Sequence, residues 1–547
     1  MSDAAITAET LAAAEAVMGV AYTDGERAMM AESIAGQIAF ARQRRAVRLP
    51  DTLPPATRFD PRLPGFVFPD TGPLRFDDGD TPDLPDDEAD IAFAPVAVLR
   101  RWVRDRRITS ARLTRIYLDR IERLAPKLEC VATLTSDLAM RQAAQADRML
   151  AEGRYLGPLH GIPWGCKDII DTAGIATAWG AEPWRDRVPA ADATVVRRLA
   201  DAGAVMLGKL TVGALAYGDI WYGGRTRNPW NTEEGASGSS AGSGAATAAG
   251  LVGFSLGTET LGSIVAPSLR CGTTGLRPTF GRVPRTGVMP LCWTLDKIGA
   301  MCRRVEDTAL VLSVLNGPDP TDPCQIPAPF GYDATRPVAG MRVGYYAADF
   351  AAGHDADRTA LEAARSIGIE LVGLELPELP YAALMSTLTA EAAASFEELT
   401  LSDRDDELTW QEAAAWPNTF RRARFLSAVD HIQLDRLRRR VMLDLDAAFQ
   451  DVDAMIGPAL AGPMLIITNF TGHPCLVMRC GFRRSETRAP LLLARAPAGQ
   501  GETATEPTHT VPHAICLWGR LFDEGTMLRL GRALEPVFAV HERRPPQ

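Results

Sequence analysis

The stretch GSSAGSGAATAAGLVGFSLGTETLGSIVAPS, Gly238 to Ser268, decides how this chain is read. Ser239, Ser240, Ser243, Ser255, Ser263 and Ser268 stand among Gly and Ala, and Gly-Ser-Ile precedes the closing proline. Residues this small let a helix and a strand pack closely, which brings the flanking serines near one another. Upstream, GIPWGCKD sets Lys167 in an apolar run with Ile162, Pro163, Trp164, Ile169 and Ile170. Burial without a fixed counter-ion disfavours the ammonium and lowers its pKa, and an uncharged amine is what a lysine general base requires. If this run is a strand, the adjacent Asp168 points to the opposite face. Serine plus lysine, with no histidine among the serines, implies a serine hydrolase whose base is a neutral lysine.

Two local patterns compete for the nucleophile. GSSAG at 238–242 fits G-x-S-x-G, with Ser240 on a nucleophile elbow. That reading needs an Asp and a His further on, and nothing around His354, His431 or His473 marks such a histidine. GSIVAP at 262–267 instead places Ser263 after an apolar run, where backbone N–H groups could converge on an oxyanion. GSGAATAAG at 242–250 mimics a dinucleotide fingerprint only loosely, because no acidic residue follows about 20 positions on at the end of a clear second strand.

Around this centre the pattern alternates. Helices are expected at 95–107, 110–124, 138–152 (with Ser136 or Asp137 as N-cap) and 194–202, and strands at 131–134, 161–170 and 205–208. Further strands are expected at 341–346, 454–456 and 475–478, and long helices at 390–415 and 425–450. The expected fold class is α/β: a mixed sheet flanked by helices on both faces. Residues 483–510 lack periodicity and are expected to be an inserted loop.

Three divisions follow: an N-terminal helical segment (1–50), a Pro/Asp-rich extended linker (51–90) and the main domain (91–547). In the first, Thr23 and Glu26 make a capping-box pattern, and Met30, Ile34 and Ile38 make one apolar stripe expected to pack on the main body. In the second, eight prolines and eleven acidic residues against three arginines exclude regular helix, so a strap over the surface is expected. The first is read as a structural brace or dimerisation arm, which admits a homodimer.

The net charge of −10 argues against a dominant nucleic-acid surface, and no nucleic-acid partner is expected. The arginine runs at 421–425 and 436–440 are expected to be solvated helix faces. Nine scattered cysteines without a CxxC pair suit free thiols in a reducing compartment, so the expected location is cytoplasmic. The start MSDAAITAET lacks a signal-peptide pattern, and no run of apolar residues suits a membrane span. No metal and no cofactor are expected.

GPLHGIPWGCKD, DATVVRRLADAGAVMLGK, NPWN, GASGSSAGSGAA, GTETLGSIVAP and TGLRPTFGRVP occur in this order. Together they closely resemble the amidase signature family, from about Pro95 to the C-terminus and most strongly over 156–307; TNFTGHPCLVMRCGF and LFDEGTMLRLGRALE continue the likeness weakly. The resemblance implies a Ser–cis-Ser–Lys triad: Lys167 as base, Ser239 as bridge, Ser263 as nucleophile, and a cis bond before or after Ser239. It also implies an oxyanion hole from the N–H groups of Thr260, Leu261, Gly262 and Ser263. The implied activity is cleavage of the C–N bond of a small-molecule amide. The same family contains the A-type subunit of a glutamine-dependent tRNA amidotransferase, which is the alternative. This chain departs from the family's pattern at Glu259, Leu261, Val265 and Arg277, and at Ala236-Ser237, where Pro-Gly is common. Leu261 and Val265 are expected to reshape the acyl site. Tyr217, Trp221 and Trp293 are the candidate substrate contacts, and residues near 464–470 a further wall.

Overall fold

Eleven strands form one mixed sheet in a computed structural model that describes residues 6–50, 53–488 and 508–546. In chain order the strands are β1 (Val131–Leu134), β2 (Pro163–Lys167), β3 (Val205–Leu210), β4 (Phe254–Glu259), β5 (Thr274–Arg277), β6 (Lys297–Cys302), β7 (Arg342–Tyr346), β8 (Glu370–Leu374), β9 (Ala454–Pro458), β10 (Cys475–Glu486) and β11 (Thr508–Gly519). Across the sheet they run β8-β7-β9-β11-β10-β5-β6-β4-β2-β3-β1. β2 lies parallel to both its neighbours, β3 and β4, and β4 pairs antiparallel with β6. Every residue of β2, β3, β4 and β6 is buried, as befits strands covered on both faces by helices.

The Gly/Ala run becomes the helix Ala241–Ala248, buried at every position. It packs on β4 and on the helix Val265–Cys271 that follows Ser263. A Cβ at Gly242 would sit 2.4 Å from the backbone N of Thr211, so only glycine admits this approach. The small residues thus bring both ends of the stretch onto the carboxyl ends of β2 and β4.

Other expectations need correction. The helix Ser136–Ala151 is preceded by Thr135, whose hydroxyl donates to the carbonyl of Met206 (3.1 Å) rather than capping; Ser136 and Asp137 are already helical. The long helix expected at 390–415 is broken: Met385–Ser395 and Glu397–Leu401 are followed by a 3₁₀ turn at Arg404–Glu407. The cause is local. Ser402, Asp403, Asp405 and Asp406 compete with helix hydrogen bonds, and Asp403 turns left-handed with φ 57°. The loop expected at 483–510 is strand at both ends, because β10 and β11 stay paired out to Glu486 and Thr508; its middle, 489–507, lies outside the described residues.

At the N-terminus, Ala8–Met18 and Asp24–Arg45 form a helical hairpin with the expected Thr23/Glu26 capping box. The stripe of Met30, Ile34 and Ile38 is only half-buried, and no residue of the second helix is fully buried. A stripe one residue wide between Arg, Glu and Gln is too narrow to sink into the body. An ion pair from Arg44 to Glu397 (2.6 Å) ties the hairpin down.

The 53–90 segment runs extended from 53 to Asp87, pairing Leu74–Arg75 with Tyr332–Asp333, but its last three residues already belong to the helix Glu88–Phe93, which Asp87 caps. Its Phe59 sits 3.4 Å beneath the Arg438 guanidinium. Arg438 is buried and donates to the Phe470 carbonyl (2.6 Å) and to Thr294, so the 436–440 run is not wholly a solvated face.

Candidate active site

Lys167 ends β2 with no exposed surface. Its Nζ lies 2.7 Å from Thr258 Oγ1, 2.9 Å from Ser239 Oγ and 3.0 Å from Ser240 Oγ. All three partners are neutral hydroxyls. Burial therefore pushes the Lys167 amine well below the ordinary lysine value, against the weaker pull of Asp296 and Glu259. Asp168 faces away, as the strand geometry requires: it lies 3.9 Å from the buried Lys209 amine and accepts the Ala178 N–H (3.1 Å). Two buried lysines on adjacent strands thus have opposite settings, one beside a carboxylate and one among hydroxyls.

Ser239 follows a cis Gly238–Ser239 peptide bond. Ser240 is wholly buried, donates to the Thr258 carbonyl (3.1 Å) and accepts the Thr258 N–H (3.1 Å). It is locked into the strand end and is not presented to a cavity, unlike an elbow serine. Ser263 is joined to this group through its carbonyl, which accepts the Ser240 N–H (3.2 Å). The Ser263 hydroxyl has no hydrogen-bond partner among the described residues, and Ser263 lines a cavity of about 320 Å³. Ser237, where the family commonly has Gly, adopts φ 64° and is held by its N–H to Asp219 (2.9 Å).

The loop between β4 and Ser263 presents backbone donors. None of the N–H groups of Thr260, Leu261, Gly262 and Ser263 meets a protein acceptor among the described residues. Gly262 sits at φ 83°, and a Cβ there would lie 3.3 Å from Leu465. The helix Met464–Phe470 therefore supports the loop from beneath rather than walling the cavity. Glu259 ties this loop in place. One oxygen accepts the N–H groups of Ile264 (2.8 Å) and Val265 (2.9 Å); the other accepts Arg277 (2.6 Å) and Asn469 (3.0 Å). Burial alone would raise the Glu259 carboxyl, but the Arg277 guanidinium and these N–H groups hold it at about 2. Two of the departures from the family pattern, Glu259 and Arg277, are thus a matched pair.

The aromatic candidates separate. Tyr217 lines the Ser263 cavity, packed between Trp410 and Trp416. Trp293 does not; it lines a second cavity of about 220 Å³. Trp221 lines neither, being folded against Tyr222 in a hairpin. Leu261 lines the Ser263 cavity as expected, whereas Val265 is buried in its helix. Met385, Leu388, Trp416 and Arg422 also line it, and sequence reasoning missed them. They come from the broken helical region, and their only sequence signal is the Trp416-Pro417 start of a new helix.

A buried amine among hydroxyls, a serine at a cavity and an array of free N–H groups are the parts of an acyl-transfer site. The chain belongs to the amidase family, which matches over residues 112–528, and it is an amide-hydrolysing enzyme. Among its relatives, the A-type subunit of the Glutamyl-tRNA(Gln) amidotransferase from Roseiflexus castenholzii is 35% identical over 487 residues, covering 82% of this chain and 97% of that one. The native peptide amidase of Stenotrophomonas maltophilia superposes with a TM-score of 0.68 at 29% identity, covering 83% of this chain and 98% of that one. A structure described as a vestigial protein complex, tied to the origins of an s-triazine catabolic enzyme, superposes at 0.70 with 27% identity, covering 81% and 98%.

Proposed function

We propose that the chain hydrolyses a small-molecule carboxamide through an acyl-enzyme on Ser263, with Ser239 as proton bridge and Lys167 as base. The observation that carries this is the uncharged setting of Lys167, 2.9 Å from Ser239 and without a carboxylate partner. Hydrogen-bond counting supports the direction of proton flow. The single Ser240 proton is spent on the Thr258 carbonyl, so Ser240 accepts from Lys167. The second amine proton goes to Thr258, whose Oγ1 (2.7 Å) and carbonyl (3.5 Å) both accept from the amine. The lone pair of a neutral amine is then left for the Ser239 hydroxyl.

In the proposed sequence, Lys167 takes the Ser239 proton as Ser239 takes that of Ser263. Ser263 Oγ attacks the carbonyl carbon, and the oxyanion collects N–H groups from 260–263, each typically worth about 3–4 kcal/mol in the transition state. The proton returns through Ser239 to the leaving nitrogen, the C–N bond breaks, and water hydrolyses the ester. Fluorophosphonate labelling followed by peptide mapping tests the assignment: the adduct is expected on Ser263, and an adduct on Ser240 would refute it.

The second reading, the A-type subunit of a glutamine-dependent tRNA amidotransferase, is favoured by the names of relatives from Roseiflexus castenholzii and Carboxydothermus hydrogenoformans at 35% and 31% identity, whereas a relative from Mycobacterium bovis at 35% is named a putative amidase and favours the first. The first two names carry a tRNA and a subunit, so the expected absence of a nucleic-acid partner finds no support in them. Glutamine-dependent amidation of glutamyl-tRNA by the purified chain, alone or with partner subunits, would decide for it. We place the chain in the cytoplasm on its nine free and buried cysteines; among the described residues no helix is long and apolar enough to cross a membrane. We treat 1–50 and 51–90 as appendages to a catalytic unit at 91–547.

A further inference from the structure

The helical hairpin at the N-terminus lies outside the family match, which begins at residue 112. Its second helix, Asp24–Arg45, packs chiefly on the first, Ala8–Met18. The half-buried Met30, Ile34 and Ile38 mark its inner side. The opposite side carries a second pattern. Met29, Ser33, Gly36, Phe40 and Gln43 follow at alternating intervals of four and three, and all are exposed. That is the spacing of a seam read by another helix. Met29 is 66% exposed and Phe40 72%. An apolar residue exposed singly needs no explanation. Two large ones on one seam, in a helix with no fully buried residue, do.

Gly36 adds an independent observation. Glycine inside a helix destabilises it relative to alanine. A Cβ at Gly36 would meet nothing within 4 Å, so this chain's own packing does not require the glycine. A second backbone crossing there does, and Ser33, one turn earlier, is also small. The helix ends fix the direction of the crossing. The first turn holds Asp24 and Glu26, and the last turn holds Arg42, Arg44 and Arg45. A parallel helix of the same sequence would set like charge on like. An antiparallel one sets each acidic turn against a basic one and opposes the two helix dipoles. The seam then fits itself. With a two-fold axis between Ile34 and Ala35, Met29 of one copy lies opposite Phe40 of the other, and Ser33 opposite Gly36. Large meets large on the flanks, and small meets small at the crossing.

We propose that the chain forms a two-fold homodimer in which the Asp24–Arg45 helices of two copies pair antiparallel along Met29, Ser33, Gly36 and Phe40. A second copy supplies the complementary residue at each layer and the opposite charge at each end. The Arg44–Glu397 pair ties the hairpin to its own body, so the seam joins two catalytic units from outside and touches neither site. The inference stands whichever serine is the nucleophile.

Sedimentation velocity of the full chain over a wide range of concentration is the test. Wild type is expected at twice 59.0 kDa. Met29→Glu sets a charge against Phe40 across the seam, and Phe40→Lys sets one against Met29. Each is expected to weaken association by about tenfold or more. The double variant Met29→Glu/Phe40→Lys is expected to dimerise again, because the new carboxylate of one copy faces the new ammonium of the other. Within one copy the two positions lie about three turns apart and do not meet. In a parallel pair like charge would face like, and the double variant would stay monomeric. Amide hydrolysis at the wild-type level is expected from all three variants and shows that they are folded. A wild type that is monomeric throughout, as it would be if a different protein covers the seam, would overturn the inference. So would single variants that associate as tightly as wild type, or a double variant no better than the singles.

Discussion

Replacing Glu259 with Gln tests whether the departures from the family pattern compensate one another. In the wild type the carboxylate binds four donors with two oxygens: Arg277, Asn469 and the N–H groups of Ile264 and Val265. Glutamine keeps one acceptor oxygen and turns an NH₂ toward donors, leaving the fully buried Arg277 without its counter-ion. Breaking one side of a buried ion pair costs about 3–5 kcal/mol. The proton affinity gives a second figure. The carboxyl falls from the ordinary 4.5 to about 2, and 2.5 factors of ten at 1.36 kcal/mol each come to about 3 kcal/mol. The sign follows from a depressed acid. This stability is fully present above about pH 4.5 and is lost as pH falls toward 2.

For a chain of 547 residues, an unfolding entropy of about 2.1 cal/mol/K per residue gives about 1.1 kcal/mol/K, so about 3 kcal/mol lowers Tm by about 3 °C. Differential scanning calorimetry at pH 7 reads this. The Glu259→Gln/Arg277→Met double variant removes the stranded charge and is expected to recover at least half of the loss. A single variant that melts with the wild type, or a double variant as low as the sum of the singles, would refute the reasoning.

Further outcomes are expected. Ser263→Ala and Ser239→Ala each lower kcat by about 10⁴-fold, and the double variant is little worse than either, because the two act as one unit; amide hydrolysis by all three checks this. Gly262→Ala forces a side chain into φ 83° against Leu465. The loss of one aligned donor is then expected to lower kcat by about 10²–10³-fold with a smaller change in KM. Removal of residues 1–45 takes away the surface pair Arg44–Glu397. Such pairs contribute about 0–1 kcal/mol, so steady-state kinetics and Tm are expected to stay near those of the full chain; a collapse of either would make the hairpin part of the catalytic unit.

The centre of the molecule is legible in the sequence because its chemistry lies in contiguous motifs. Lys167 on a buried strand and the strands around it follow from local pattern, whereas the choice of Ser239 and Ser263 among the serines flanking the Gly/Ala helix comes from the order of the motifs and the family resemblance. The walls are not legible. Met385, Leu388 and Trp416 reach the Ser263 cavity from a region about 120 to 150 positions downstream, and only tertiary packing assigns them. Trp221 and Trp293 carry the same local signal as Tyr217, yet one folds onto Tyr222 and the other faces the second cavity. The break in the helix expected at 390–415 is hidden because alanines mask the turn-forming Ser402-Asp403. The burial of Arg438 is hidden because nothing local announces the ring of Phe59 over which it lies.

The account depends on an uncharged Lys167 arming Ser263 through Ser239. The most direct measurement is the rate of fluorophosphonate addition to Ser263 against pH, in wild type and in Lys167→Ala, with the adduct located by mass spectrometry. The account predicts a wild-type rate that stays level as pH falls from the ordinary lysine value of 10.5 and drops only below the lowered Lys167 value; in Lys167→Ala the rate is far lower and that limb is gone. The same acid limb in Lys167→Ala, at a comparable rate, would contradict it.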